Sequence, residues 1–193
     1  MQKLLWLLPL SIILYACPYE SIVTLEKNPA EPIDSTLIGY WYGIVKDGSD
    51  YFGIEALEIS RQSDSVYSIT RYGKAVKGDM ILPDTSYFTA YTSWIGDQRF
   101  VNVKGTITLT EPIGKKSTKT SEKNVFYLSA FEKSNDTLRV KTITESFTTR
   151  KIIHQPEDLK KLVIEMGGKK NIYDEQYSLS YRKIPKTPHF QPN

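Results

Sequence analysis

Residues 87–104 read YFTAYTSWIGDQRFVNVK and carry the clearest structural signal in the chain. Two runs rich in aromatic and β-branched residues, 87–94 and 99–104, lie on either side of the four residues 95–98. Gly96 stands at the first central position of the turn, where a type II′ turn favours glycine and matches the twist of the flanking strands. The stretch therefore predicts an antiparallel β-hairpin.

Similar short runs continue on both sides of this hairpin. They alternate apolar and polar residues between turn-forming residues, at positions 37–45, 52–60, 66–72, 106–110, 126–130, 138–140 and 177–181. About eight short strands with regularly spaced turns indicate an all-β sandwich or barrel. We expect an antiparallel, eight-stranded barrel or a half-open version, because closure removes strand edges that promote aggregation. Residues 111–124 (EPIGKKSTKTSEKN) are polar and lysine-rich, which predicts a mobile loop.

One helix is predicted near the C-terminal end of the chain. Pro156 suits the first helical position, and the acidic residues Glu157 and Asp158 favour the positive end of the helix dipole. One apolar stripe follows at helical spacing, formed by Leu159, Leu162, Val163 and Met166. The pair Gly167-Gly168 is expected to end the helix.

The N-terminus, MQKLLWLLPLSIILYAC, has the form of a secretory signal. Lys3 supplies a positive charge, and residues 4–16 form an apolar run that is shorter than the ~20 residues that span a bilayer. The sequence Leu14-Tyr15-Ala16-Cys17 resembles a lipobox, which implies cleavage before Cys17 and a lipid anchor on that residue. The alternative is an ordinary signal peptide followed by a stray cysteine.

These features divide the chain into four parts. We expect a signal peptide over 1–16, a lipidated cysteine with a flexible tether over 17–34, a β domain over 35–184 and a frayed tail over 185–193. The three prolines of the tether favour extended backbone. Pro18 stands where inner-membrane lipoproteins carry aspartate, so the lipoprotein resemblance implies an outer-membrane location in a bacterial envelope.

Composition excludes several kinds of protein. The formal net charge is +3, which gives no basic footprint for nucleic acid. Cys17 is the only cysteine, so its lipidation leaves none for a disulfide. The chain has 13 Tyr, 7 Phe and 3 Trp, which predict a core stabilised by buried aromatic rings.

The segment Leu37-Ile38-Gly39-Tyr40-Trp41 contains a Gly-x-Trp motif at the start of the first long strand. It resembles the opening of lipocalins and of lipocalin-like domains in small bacterial lipoproteins. That resemblance implies that Trp41 plugs one end of a barrel and that Arg182, in the last strand, packs on it. The segment 17–21 and the helix 157–166 also match a group of short bacterial lipoproteins with no known activity, so the resemblance adds a fold and a location only.

Neither a catalytic nor a metal site is predicted. The chain lacks the Gly-x-Ser-x-Gly turn of serine hydrolases, and its two histidines, His154 and His189, belong to no cluster of metal ligands. No cofactor is indicated. Tyr87, Tyr91 and Trp94 are candidates for an aromatic platform that contacts a ligand at the barrel mouth, although aromatic residues at strand spacing also serve core or rim packing.

The sequence thus favours a non-enzymatic lipoprotein anchored to a membrane through Cys17. Small barrels are either filled by side chains or hold one small ligand. A cavity would favour binding of a small apolar ligand, whereas a packed interior with an exposed apolar patch would favour an interaction module. The alternative is an enzyme acting on envelope glycan or lipid, which requires a cleft with two carboxylates about 5–10 Å apart. No particular protein partner is indicated, and both orientations of the domain, periplasmic and cell-surface, stay open.

Overall fold

A computed structural model describes most of the β domain and the segment that precedes it. The described residues are 19–47, 51–77, 80–113, 117–143, 152–169, 172–173 and 178–185. The predicted signal peptide, Cys17 and residues 186–193 of the predicted frayed tail lie outside these ranges.

Within the described residues, nine strands form one antiparallel sheet. They are β1 (Glu20–Ser21), β2 (Gly39–Asp47), β3 (Tyr51–Arg61), β4 (Tyr67–Lys77), β5 (Met80–Ile95), β6 (Gln98–Ile113), β7 (Ser117–Ser134), β8 (Thr137–Thr142) and β9 (Leu179–Ile184). The all-β prediction is confirmed, and each strand predicted from alternation is present. Most of the strands are longer than the apolar runs that predicted them.

The sheet closes into an eight-stranded barrel made of β2 to β9. Strands β2 to β8 follow one another as neighbours in chain order, and β9 enters between β8 and β2. Tyr181 of β9 stands opposite Gly43 of β2 on one side and opposite Leu138 of β8 on the other. The barrel is therefore closed. Strand β1 is not part of it and pairs with β7, where Glu20 stands opposite Tyr127.

Tight turns join the strands at one end of the barrel, which we call the closed end. Gly96, in the turn between β5 and β6, has φ 61°, as the first central position of such hairpin turns requires. Asn135 takes the same position between β7 and β8 with φ 51°. Asparagine tolerates this left-handed backbone better than most residues with a Cβ atom.

The opposite end, which we call the open end, splits into separate hairpins. Pairing between β3 and β4 stops at Ala56 and Tyr72, and pairing between β5 and β6 stops at Thr89 and Lys104. Beyond these points β4 still pairs with β5, and β6 with β7, as far as the ends of the strands. The barrel wall therefore parts into two-stranded arms around its mouth.

The prediction of a mobile loop over 111–124 is wrong. Strands β6 and β7 pair without interruption from Phe100–Ala130 to Ile113–Ser117, so that only 114–116 separates them. Residues 119–124 are exposed, so neither face of this part of β7 has to be apolar. Without a buried face the strand lacks the alternation that reveals strands, while its threonines still favour extended backbone.

Helix α1 (Pro156–Lys169) packs on the outside of the barrel. Its residues Leu159 and Val163 are buried in one cluster with Phe100 of β6 and Leu128 of β7. The helix runs three residues beyond Met166, through the glycines expected to end it, because glycine only weakens a helix rather than forbidding it. None of the helical segments in the described ranges has the length and apolar character needed to cross a bilayer.

The described part of the segment predicted as a tether lies against the barrel. Tyr19 and Leu25 are buried in the same outer cluster as the helix. The Tyr19 amide donates to the carbonyl of Ile143 at 2.8 Å, and the Leu25 amide donates to the Asn102 side chain at 2.9 Å. Asn102 is itself buried and donates to Ser93 Oγ at 3.0 Å, so one amide side chain joins the segment to two strands.

We expect Asn102→Ala to lower the free energy of unfolding by about 1–3 kcal/mol, because it leaves the buried Leu25 amide and Ser93 hydroxyl without this partner. Urea unfolding monitored by fluorescence measures the loss. Asn124→Ala, at an exposed position on β7, is the control and should change stability by less than about 0.5 kcal/mol. Equal effects of the two substitutions would contradict the role assigned to Asn102.

Candidate ligand cavity in the barrel

The interior of the barrel contains a partly open cavity of about 170 Å³. Its wall is almost entirely apolar and includes Leu57, Ile69, Ala90, Val101, Val103 and Val140. An engineered apolar cavity of about 150 Å³ stays dry and holds a benzene molecule. The side chains of this barrel therefore leave room for one small apolar molecule.

A charged group meets the cavity where β3 and β4 begin to part. Arg71 and Tyr181 line the cavity, and the Tyr181 hydroxyl donates to Glu55 Oε1 at 2.5 Å. The Nε atom of Arg71 lies 3.7 Å from Glu55 Oε2. The three side chains give an apolar cavity a polar end that faces the mouth of the barrel.

Tyr181 keeps its proton in this setting. Burial, with the charge and hydrogen bond of Glu55, raises the pKa of the Tyr181 phenol well above its ordinary value. Gly43 makes room for the ring, because a Cβ atom there would lie 2.8 Å from Tyr181 Cδ1 and 2.9 Å from the Ser180 carbonyl oxygen. The phenol therefore acts as a fixed donor to Glu55.

A second charged group lies at the closed end, around Arg99. The guanidinium carbon lies 5.6 Å from the ring centre of Trp94 and 5.1 Å from that of Phe131. Arg99 Nη2 lies 2.6 Å from Glu31, and Nη1 lies 3.1 Å from Asp34. Because Glu31 and Asp34 precede the first barrel strand, this cluster fastens the N-terminal segment across the closed end.

Two neighbours complete this attachment. The Asp34 amide donates to the Tyr67 hydroxyl at 2.5 Å, and Leu37 is buried against the cavity. Burial tends to raise the pKa of Asp34, but hydrogen bonds from Thr36 and Arg99 outweigh it and hold that pKa below its ordinary value. Asp34 thus stabilises the closed end as a carboxylate.

The Gly-x-Trp tryptophan lies at this closed end. Trp41 is fully buried, and its indole N–H donates to the Leu37 carbonyl at 2.8 Å. The cation near its ring is Lys183, whose Nζ lies 5.3 Å from the ring centre, rather than Arg182. Side chains alternate along β9, so Arg182 is exposed and points away from the interior that Tyr181 faces.

The three aromatic residues of the expected platform are not brought together. Tyr87 is on the outer face and is 74% exposed. Tyr91 also points to the outer face, and its hydroxyl donates to the Glu26 carbonyl of the N-terminal segment. Trp94 belongs to the opposite, inward set and covers Arg99 at the closed end. The strand period explains the separation, since 87 and 91 differ from 94 by an odd number of positions.

Arg71, which lines the cavity, and its neighbour Glu55 were missed at the level of sequence, although a signal exists. Glu55 has the same strand phase as Leu57 and Ile59, which face the interior, and Arg71 has the phase of Ile69. A charge placed on the apolar side of an alternating strand marks such a position. By contrast, Glu58 faces outward and accepts hydrogen bonds from Tyr40 at 2.7 Å and Tyr72 at 2.9 Å.

That outward cluster has an electrostatic effect of its own. Burial, followed by the hydrogen bond and charge of Glu58, raises the pKa of Tyr72 to about 12.

In the ranges that the structure describes, no three side chains of the metal-binding types stand close enough to hold an ion. His154 is exposed just before α1.

We expect Asp34→Asn to lower the free energy of unfolding by about 1–2 kcal/mol at pH 7, because charge-assisted hydrogen bonds are lost. A carboxyl group with a depressed pKa stabilises the fold above its unfolded pKa of about 3.9, and the stabilisation disappears as the pH falls through the folded pKa. The difference between the two proteins should therefore shrink below about pH 4. Urea unfolding at several pH values measures it.

Asp64→Asn is the control, since Asp64 pairs with Arg61 at the surface with its side chain 91% exposed. Its effect should stay below about 0.5 kcal/mol. A constant difference between Asp34→Asn and the unchanged protein from pH 7 to pH 3 would disprove the carboxylate role.

Comparisons of the chain with models of protein families, with curated proteins and with solved structures find no match. We therefore infer the function from the cavity and from the residues that line it.

Proposed function

We propose that this protein is a lipid-anchored lipoprotein of the bacterial envelope that binds a small apolar ligand inside its barrel. The cavity of about 170 Å³ carries this proposal, because a barrel of this size that served only as a scaffold would be filled by side chains. Its apolar wall supplies binding free energy through burial of apolar surface, at about 25 cal/mol per Å². The lipocalin-like resemblance of the Gly-x-Trp segment points in the same direction.

The proposed location rests on the sequence around Cys17. Each buried methylene of an acyl chain contributes about 0.8 kcal/mol, so two or more chains on one cysteine hold a protein firmly on a membrane. The outer membrane is the proposed site, because Pro18 replaces the inner-membrane retention residue. This location would place the binding domain where small molecules cross the envelope.

Binding is proposed in preference to catalysis. A polar groove at the closed end does contain carboxylates, as the enzyme alternative requires. Two of them are held in ion pairs, Asp34 with Arg99 at 3.1 Å and Glu132 with Lys141 at 2.5 Å. Both carboxylates thus already neutralise a neighbouring cation, which favours a structural use.

An interaction module is the second candidate, and one outer surface favours it. Ile44 and Ile54 stand opposite each other on β2 and β3 and are 62% and 51% exposed. Side by side they form a small apolar patch on the outer face, and contiguous exposed apolar patches can mark a partner surface. Substitution of both with serine would leave ligand binding intact under the main proposal.

We expect Cys17→Ala to abolish labelling with a radioactive or clickable fatty acid and to leave an uncleaved precursor. The reason is that lipidation and cleavage both depend on the thiol. Labelling in living cells followed by electrophoresis gives the result. A processed, labelled Cys17→Ala protein would refute the anchor.

We expect Ala90→Leu to weaken the binding of toluene by at least about tenfold, because the larger side chain occupies the cavity. Unfolding stability should change by less than about 1.5 kcal/mol, since the added carbons enter existing space. Titration followed by NMR chemical shifts, using residues 18–193, measures the affinity. Native mass spectrometry of the same protein tests for a ligand retained from the cell.

Thr89→Leu is the matched control, because the neighbouring residue on β5 faces the other side of the sheet. It should leave toluene binding unchanged. If toluene fails to bind the unaltered protein, or binds folded Ala90→Leu equally well, the cavity is not the ligand site.

A further inference from the structure

The chain between the proposed lipid and the folded barrel is short, which limits where the membrane can lie. Tyr19 is buried, and its amide donates to the Ile143 carbonyl at 2.8 Å. Cys17 precedes Tyr19 by two residues, and two residues of extended chain span at most roughly 7 Å. Provided that Cys17 is lipidated, as proposed above, the wall of the barrel at Tyr19 is therefore held close to the bilayer.

This attachment is on the side of the barrel rather than at either end. Glu20 stands opposite Tyr127 of β7, and Tyr127 stands opposite Val103 of β6, which lines the cavity. The N-terminal segment is thus fixed at the height of the cavity. Around the barrel, β3 is four strands away from β7 in both directions, so the wall at β3 lies opposite the attachment.

Two exposed isoleucines lie near the attachment. Ile22 is 43% exposed, and Ile152 is 74% exposed. Their chain neighbours Val23 and Ile153 both pack against the outer cluster that contains Tyr19, so the two isoleucines lie at the edge of this cluster. Apolar side chains in such a position gain free energy when they leave water for the boundary between lipid headgroups and acyl chains.

A lipid bilayer is the surface that fits this wall. The lipid on Cys17 would bring a bilayer to the attachment at Tyr19, whereas nothing directs a protein to that wall in preference to another. The other pair of exposed isoleucines, Ile44 and Ile54, stands on β2 and β3, on the far side of the barrel.

We infer that the barrel lies on its side on the membrane, with the wall around Tyr19 facing the bilayer and the wall at β3 facing away. Ile22 and Ile152 then enter the headgroup region. Because the mouth of the barrel is at one end and the attached wall is at the side, the mouth opens along the membrane surface. A ligand of the cavity accordingly enters from the aqueous compartment.

A fluorescent label at single positions tests this orientation. Lipidation converts the Cys17 thiol into a thioether, so a cysteine introduced elsewhere is the only free thiol. The full chain, purified in its lipidated form, is labelled with the fluorophore NBD and reconstituted into vesicles of phosphatidylethanolamine and phosphatidylglycerol. We expect lipids with a nitroxide near the headgroup to quench the label of Ile22→Cys at least about threefold more than that of Ile54→Cys.

Ile54→Cys is the matched control, because Ile54 is an isoleucine of similar exposure, 51% against 43% for Ile22, on the opposite wall. Urea unfolding of each labelled protein verifies that the barrel is folded.

A lengthened connection tests whether the short chain sets the orientation. A Gly/Ser segment of about ten residues, inserted between Pro18 and Tyr19, has an end-to-end distance of about 17 Å and lets the wall move away from the bilayer. We expect this insertion to lower the quenching of labelled Ile22→Cys at least about twofold.

The mass of the intact protein separates this inference from the proposed anchor. If Cys17 carries no acyl chains, the anchor fails and the orientation fails with it. If the protein is acylated and bound to vesicles, but Ile22→Cys is quenched no more than Ile54→Cys, the orientation is wrong and the anchor stands. Unchanged quenching after the insertion would also contradict the inference, because the short chain would then not hold the wall in place.

Discussion

Pairing of β9 with both β2 and β8 is the constraint on which the rest of the barrel depends. It joins the two ends of the sheet and so turns an apolar sheet face into an enclosed space. It also places the buried ring of Tyr181 against Gly43 and its hydroxyl on Glu55. Closure, cavity and polar end are thus produced by one short strand that returns after the outer helix.

The architecture was predictable because most strands have one buried face. Alternation along 52–60 and 126–130 gave strands at the right places, and the glycine between β5 and β6 gave the hairpin. The same reasoning failed over 111–124, where polar and exposed residues pair in a long arm. The packing of the N-terminal segment was also hidden, because it depends on contacts such as Leu25 with Asn102 between residues distant in sequence.

The candidate site was less accessible to sequence reasoning than the fold. A resemblance pointed to Trp41, which lies buried at the closed end, but placed Arg182 where the alternation of β9 puts Lys183. The aromatic residues of β5 were grouped by type, although strand phase separates them between two faces. Glu55 and Arg71 come together because the register between β3 and β4 places them at the same level of the barrel. This register cannot be derived from either segment alone.

The position of β9 after α1 also sets the order in which the molecule can be completed. While the chain is being synthesised, β2 and β8 keep unpaired edges and the inner face of the sheet is open until residues 179–184 have appeared. Such edges readily pair with other chains. A barrel built this way cannot close until β9 is available, so its cavity forms only after the last strand has paired with β2 and β8.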